Sequence, residues 1–272
     1  MVAEGEADPS ETILGGGRLT PGVVKVGATV RRPKSAFTRT LLLHLAQAGF
    51  DGVPKYLGRD ELDRDILAFL PGEVPPKWHA MTDDQVAAAG ALLRRFHEAS
   101  RTLAERLGGG PVICHHDAGP NNTVFRHGQP IAFIDFDFAA VGDPLEDVAY
   151  MSWSWCISSK PERGDASSQA HQVRVLADAY GLSADQRGHL MDAVQERFVR
   201  NERFWTARAS NGPPVISGPS PAEVLAWTAT EKAFVTRFQR VFTAALAHSS
   251  PTDSQAMNIS GSGSGGASPY GP

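Results

Sequence analysis

Short apolar runs broken by glycine and proline fill residues 12–70, and long stretches of apolar residues at helical spacing fill most of the chain after residue 80. The first pattern predicts strands. "TIL" precedes Gly15-Gly16-Gly17, and "VVKV" and "TVRR" flank Gly27-Ala28, which fits a two-residue hairpin turn with glycine first. Pro33 stops the second of these strands. Phe37, Leu41, Leu45 and Ala48 then recur on one face, predicting a helix from Ser35 to Ala48 that ends at Gly49. "ILAFL" is a short continuous apolar strand closed by Pro71-Gly72.

The second pattern predicts helices. Thr82 with Gln85 is a capping box that opens one running to about Ser100, and "GGGP" breaks it. Three short strands follow: "VIC", "TVF" and "IAFI". Helices are then expected over Pro144 to Trp155, 166–180, 184–208 and 221–248. Ser183 with Gln186 caps the third of these, and Ser220-Pro221-Ala222-Glu223 caps the last. Strands followed by helices give an α+β chain with two lobes. The expected division is 11–70 and 71–250, with the hinge near "FLPGEV". Residues 1–10 and the Gly/Ser-rich 251–272 are expected to be structureless.

Totals narrow the function classes. The 272 residues suffice for two lobes with real cores. A formal net charge of −4 gives no general pull toward nucleic acid or anionic membrane, so neither is expected as a partner. Two cysteines cannot build a disulfide framework. The acidic start "MVAEGEADPS" has no apolar core, and no run approaches the ~20 apolar residues of a membrane helix. A reduced, cytoplasmic protein is expected. Oligomeric state is not legible.

The candidate chemistry sits in "VICHHDAGPNN", residues 112–122. "TVFRHGQPIAFID" reads as a hairpin. With Gly128-Gln129 as its turn, Asn122 faces Asp135; with His127-Gly128, Pro120 faces Asp135. Either register brings the end of the "HHDAGPNN" loop beside the "IDFD" carboxylates. An amide oxygen and one or two carboxylates suit a hard cation such as Mg²⁺. Asp117 is left free to orient a hydroxyl and take its proton, and these are the parts of a phosphoryl-transfer site.

"HHDAGPNN" fits H-x-D-x-x-x-x-N, with "IDFD" and "GDPLEDVAY" behind it. This block resembles the catalytic segment of the aminoglycoside phosphotransferase and choline kinase family, relatives of the protein kinases. "FDGVPKYLG", "ILAFLPGEV" and "LLRRFHEAS" resemble that family's approach to the hinge, its hinge strand and the helix before the catalytic loop. The resemblance implies a protein-kinase-like fold with a small antiparallel β N-lobe and a larger, mostly helical C-lobe. It implies ATP, or GTP, with Mg²⁺ between the lobes. Asp117 would be catalytic, and Asn122 and Asp135 would hold the metal, with Asp137 near a second ion. His115 and Asp147 would brace the loop. Gly16 and Gly17 of the glycine-rich turn would cover phosphates, and backbone groups of Ala68 and Leu70 would contact adenine. The sequence departs from the family in three ways. The third strand carries Arg31 and Arg32 in place of lysine, and Arg32 is favoured for the phosphates. Residues 34–50 hold no acidic partner for it. His116 stands where the family often has glycine.

Blander readings compete. Cys114-His115-His116-Asp117 as a zinc site fails because neighbours in an extended segment point to opposite sides. An Asx-rich turn would explain Asp117 and Asn122 but not the second acidic cluster. Trp153, Trp155, Phe198, Trp205, Trp227 and Phe234 have core-like helical spacing. Glu196 and Glu202 could face a cationic substrate, but residues 139–272 hold 13 acidic and 11 basic residues, too even to demand a polycation. The expectation is an ATP- and Mg²⁺-dependent phosphotransferase acting on a hydroxyl of a small molecule such as an aminoglycoside or nucleoside-type antibiotic. The alternatives are a metabolic small-molecule kinase and a non-catalytic ligand-binding or immunity protein.

Overall fold

The computed structural model describes residues 11–14, 20–77, 79–212, 215 and 217–247. The expectations for 1–10, 251–272 and the Gly16-Gly17 turn lie outside the described residues. The N-terminal lobe is one antiparallel sheet. Its strands are β1 (Glu11–Ile13), β2 (Val24–Val26), β3 (Thr29–Arg32), β4 (Tyr56–Arg59) and β5 (Asp65–Ala68), in the order β1-β2-β3-β5-β4. Gly27-Ala28 is the two-residue turn between β2 and β3, and Gly27 supplies the positive φ of 57° that such a turn needs. β4 was not separated from its surroundings by pattern: its "YLGR" alternates weakly, and a bulge interrupts its pairing with β5.

Helix α1 (Ala36–Gln47) begins where the Ser35 side chain accepts the Thr38 N–H at 3.2 Å. Its Leu41, Leu42 and Leu45 are fully buried, worth about 1.5–3 kcal/mol each. Buried Asp65 fixes the corner where β3 turns into this helix. It accepts the Ser35 N–H at 2.8 Å and hydrogen bonds from Tyr56 and Arg59 at 3.2 and 3.1 Å.

The connection to the second lobe is tied down. Glu73 and Phe125 exchange both backbone hydrogen bonds, at 2.9 and 2.7 Å. A Cβ on Gly72 would come within 2.4 Å of the Phe125 carbonyl, so the chain here runs closer to its neighbour than any side chain permits.

The second lobe is mostly helical. α2 (Asp83–Leu107) starts with the Thr82–Gln85 capping box expected from sequence. After it come β6 (Val112–Cys114), a 3-10 turn at Pro120–Asn122, β7 (Thr123–Arg126), β8 (Gln129–Phe133) and β9 (Ala140–Gly142). β6 pairs with β9, and β7 with β8. The last helices are α3 (Pro144–Met151), α4 (Ala166–Tyr180), α5 (Ala184–Asn211) and α6 (Pro221–Ala247). α2 packs on α4, and α6 packs on both α4 and α5. Capping boxes at Ser183–Gln186 and Ser220–Glu223 start α5 and α6 as the sequence indicated. Trp153, Trp155, Phe198 and Trp205 are buried, and Trp227 and Phe234 pack against the core.

Two expectations change. The helix over 144–155 is α-helical only to Met151, and Ser152–Cys156 form a π turn closed by the Ile157 N–H to the Ser152 carbonyl at 3.0 Å. This widening carries the Trp155 indole to the Ala118 carbonyl at 2.9 Å. The β7–β8 hairpin turns at His127-Gly128, not Gly128-Gln129, with φ of 51° and 74°. A bulge between Val124 and Phe125 then shifts the register by one, so neither expected pairing of Asp135 holds. The closeness survives: the Ile134 N–H donates to the Asn122 carbonyl at 2.9 Å.

Candidate active site

The buried carboxylate of Asp147, on the first turns of α3, organises the loop after β6. It accepts the His115 N–H at 2.6 Å, the His116 N–H at 2.7 Å and the His97 Nε2–H of α2 at 3.0 Å. Burial works against its charge, but the hydrogen bond from His97 and the neighbouring histidines hold it at about 2. His97 in turn accepts from the Tyr180 hydroxyl at 2.8 Å, so its tautomer is fixed from both sides.

His115 links the two halves of the site. Its Nδ1 accepts the Asp117 N–H at 3.2 Å, and its Nε2–H donates to the Ile134 carbonyl, next to Asp135, at 3.0 Å. The ring packs at a tilt of 47° against Phe136, with centroids 4.7 Å apart. His116 has φ of 62°, the left-handed region where glycine is unstrained. This accounts for a position that accepts glycine. Both of its ring nitrogens face acceptors, the Phe138 carbonyl at 3.0 Å and the Glu146 carboxylate at 3.1 Å. Satisfying both needs both N–H groups, hence an imidazolium. Burial pulls its pKa down, but Glu146, Asp147 and the Phe138 carbonyl outweigh that and raise it.

Asp117 is aimed by two groups. The Asn122 amide donates to its carboxylate at 2.8 Å and to its carbonyl at 2.9 Å, and the Tyr150 hydroxyl donates to the other carboxylate oxygen. Because both Asn122 donor bonds go to Asp117, the Asn122 Oδ1 is left with one long contact from Asn121, at 3.3 Å. Gly119 leaves room beside it: a Cβ there would meet Asn121 Oδ1 at 2.9 Å, so the Asn121 side chain would have to shift.

Asp135 has φ of 64°, a strained position for a non-glycine residue. Burial and the Asp137 charge push its carboxyl up, against the pull of Arg32, and Asp117 adds to the push. Strand alternation sends Arg31 to Asp60 at 3.6 Å, while buried Arg32 turns to this cluster. Arg32 lies 3.6 Å from Asp135 and is hydrogen-bonded to Asp137, which also accepts from Thr20. Asp135 and Asp137 with one guanidinium, plus an Asn122 amide oxygen held only by the long Asn121 contact, form an oxygen-rich donor set that fits a hard divalent cation.

Asp117, Asn122, Asp135, Asp137, Arg32, His115 and Asp147 therefore come together. Ala68 and Leu70 close the end of β5, but the Ala68 N–H is already given to the Lys55 carbonyl at 2.9 Å, so contact from Ala68 must come through its carbonyl. Among the described residues, buried His97, Cys114 and Asp147 also bring metal-ligating atoms within 4.8 Å of one another. Each has another task. Cys114 donates to the Asp143 carbonyl at 3.1 Å, and burial with nearby carboxylates pushes its thiol above the usual range. Sequence reasoning missed Tyr150, whose place three residues after Asp147 puts it on the same helix face. It also missed His97, the Glu146–Arg200 pair and the indole hydrogen bond of Trp155, a residue read correctly as core.

The model of the phosphotransferase enzyme family matches residues 98–187, a span that includes His115, Asp117, Asn122, Asp135, Asp137 and Asp147. The trifolitoxin immunity protein of Rhizobium leguminosarum bv. trifolii is 31% identical over 263 residues, covering 86% of this chain and 98% of the relative. A homoserine kinase of Polaromonas naphthalenivorans is 27% identical over 167 residues, covering 61% of this chain and 49% of that enzyme. In fold, the chain is similar to a choline/ethanolamine kinase family protein from Mesorhizobium loti. The TM-score is 0.56 at 17% identity, over 84% of this chain and 90% of that one. The two-lobed kinase-like architecture expected from sequence is thus the observed one. Among the described residues, no helix is long and apolar enough to cross a membrane.

Proposed function

Because the chain belongs to the phosphotransferase enzyme family, we propose that it transfers the terminal phosphoryl group of ATP or GTP to a hydroxyl of a small molecule. On this reading residues 11–70 bind the nucleotide and 71–250 carry the catalytic loop and the acceptor. The observation that carries it is the convergence of Asp117, Asn122, Asp135 and Asp137 at one place, with the Asp117 carboxylate aimed by Tyr150 and Asn122. Asp117 would orient the acceptor hydroxyl and take its proton as the new oxygen–phosphorus bond forms and the bond from the terminal phosphorus to the bridging oxygen of the departing ADP or GDP breaks. Asn122 Oδ1, Asp135 and Asp137 would hold Mg²⁺, which supplies charge neutralisation on the phosphates. Arg32, on the strand beside them, would turn to the phosphates, and the Leu70 backbone and Ala68 carbonyl to the base. Catalysis would then be mainly positioning and charge stabilisation. The relative named for toxin immunity favours a toxic compound, such as an antibiotic, as the acceptor. Both cysteines are buried free thiols, in keeping with a cytoplasmic place of work.

A second reading rests on Arg32. Its ion pairs with Asp135 and Asp137 bind the nucleotide-facing strand to the metal carboxylates, which suits a protein that sequesters its ligand without turnover. Ligand-dependent ADP release, with mass spectrometry of the ligand, separates the two. Phosphorylated ligand and stoichiometric ADP support transfer, whereas ligand binding with neither product means sequestration.

A further inference from the structure

Arg197 stands beside the catalytic loop with no carboxylate partner among the described residues. It lies on α5, with its guanidinium carbon 4.5 Å from the centre of the Tyr150 ring, and its buried Nε has no hydrogen-bond partner. Tyr150 is the residue whose hydroxyl donates to Asp117, so this cation is one side chain from the candidate catalytic carboxylate. The Lys77 ammonium lies 5.9 Å from the same ring. Between the loop and α5 is a cavity of about 50 Å³ lined by His116, Glu146, Ala193, Glu196, Arg197 and Arg200. That holds a few waters or one small polar group, since a water needs roughly 10–15 Å³ of such volume.

Four of the five charged groups lining the cavity satisfy one another. Glu146 accepts from His116 at 3.1 Å, from Arg200, and from the Asp143 N–H at 3.2 Å, and Glu196 takes Arg200 Nε at 3.4 Å. Arg197 is the charge left over. A partly desolvated guanidinium with an unmet donor favours a planar oxyanion that can take two hydrogen bonds. The carboxylates that a polycation would need on this side are committed. Glu202 holds Lys232 at 3.1 Å, and buried Glu231 accepts from Ser159 and Trp227 at 2.6 and 3.0 Å.

We infer that the acceptor is an anionic molecule whose reacting hydroxyl lies a few bonds from a carboxylate, and that Arg197 binds that carboxylate. The inference rests on the phosphotransferase reading for its orientation toward Asp117, yet it is tested by binding alone. In the full chain saturated with Mg²⁺·ADP, calorimetric titrations would use N-acetylserine, N-acetylhomoserine and 3-hydroxybutyrate, the carboxamide of each, and an aminoglycoside. At least one acid is expected to bind roughly 30-fold more tightly than its amide, as expected for loss of a charge-assisted hydrogen-bond pair. In Arg197→Gln that preference falls to about twofold, and in Arg197→Lys, which keeps the charge but not the fork, it is intermediate. Stabilisation by Mg²⁺·ADP checks the fold of each variant. Equal binding of acid and amide, preference for the aminoglycoside, binding of no acid, or an unchanged preference in Arg197→Gln overturns the inference. Arg197-dependent binding of an acid without ADP release on adding ATP leaves it standing and sinks the phosphotransferase reading instead.

Discussion

Tyr150 donates its hydroxyl hydrogen to the carboxylate of Asp117 across 33 residues of chain, from the helix face that also carries Asp147. One short helix therefore braces the loop after β6 through its backbone and aims that loop's candidate catalytic side chain. Burial first, and then the Asp117 charge, push the Tyr150 phenol well above its ordinary range, so it remains a donor at any working pH.

Tyr150→Phe removes that donor and keeps the ring. The expected outcome is a kcat lowered about 10- to 100-fold, with nucleotide affinity within about twofold of wild type, because the lost bond positions Asp117 and not the nucleotide. Steady-state ADP release and nucleotide titration check it. An unchanged kcat would remove Tyr150 from the site.

His116 makes a pH-dependent contribution. Its folded pKa lies above the ordinary 6.5, so the stabilisation by its imidazolium is fully present below about 6.5 and is lost as pH rises through the raised value. Its partner Glu146 is held at about 2 by His116, the Asp143 N–H and Arg200 against the cost of burial. Glu146 therefore contributes above its unfolded value of about 4.5, and that contribution fades as pH falls toward 2. Urea unfolding of wild type and His116→Gln should show about 1 kcal/mol more destabilisation at pH 5.5 than at pH 8.5. A pH-independent difference would mean that the ring is neutral.

Arg32 and Asp137 form the ion pair that ties β3 to the carboxylate cluster. In a double-mutant cycle with Arg32→Met and Asp137→Asn, unfolding of the nucleotide-free protein should give a coupling of roughly 1–3 kcal/mol. Additivity would show that the pair contributes nothing, and that the strand finds another counter-charge when its usual glutamate partner is missing.

Local signals were legible in the sequence wherever the physics is local. The capping boxes at Thr82, Ser183 and Ser220 start helices where they were read, and the Gly27-Ala28 turn lies where it was expected. The spacing from Asp117 to Asn122, with the acidic pair of "IDFD", brought the site together because a hairpin confines those positions whichever turn it uses. What was missed depends on contacts that no periodicity encodes. The bulge at Val124/Phe125 shifted the register, and the π turn after Met151 set where Trp155 points. The positive φ of His116 and Asp135 is visible only in the folded loop, as is the counter-charge for Arg32, which comes from the other lobe. Arg197, one charge among many on a long helix, is distinguished only by which partners it lacks.

The central claim is that Asp117 serves phosphoryl transfer. The most direct measurement pairs acceptor-dependent ADP release with Mg²⁺·nucleotide thermal stabilisation in Asp117→Ala. The expected result is turnover lowered at least about 1,000-fold, with the stabilisation retained, since Asp117 is assigned to the hydroxyl and not to the metal. Turnover within about tenfold of wild type would contradict the assignment.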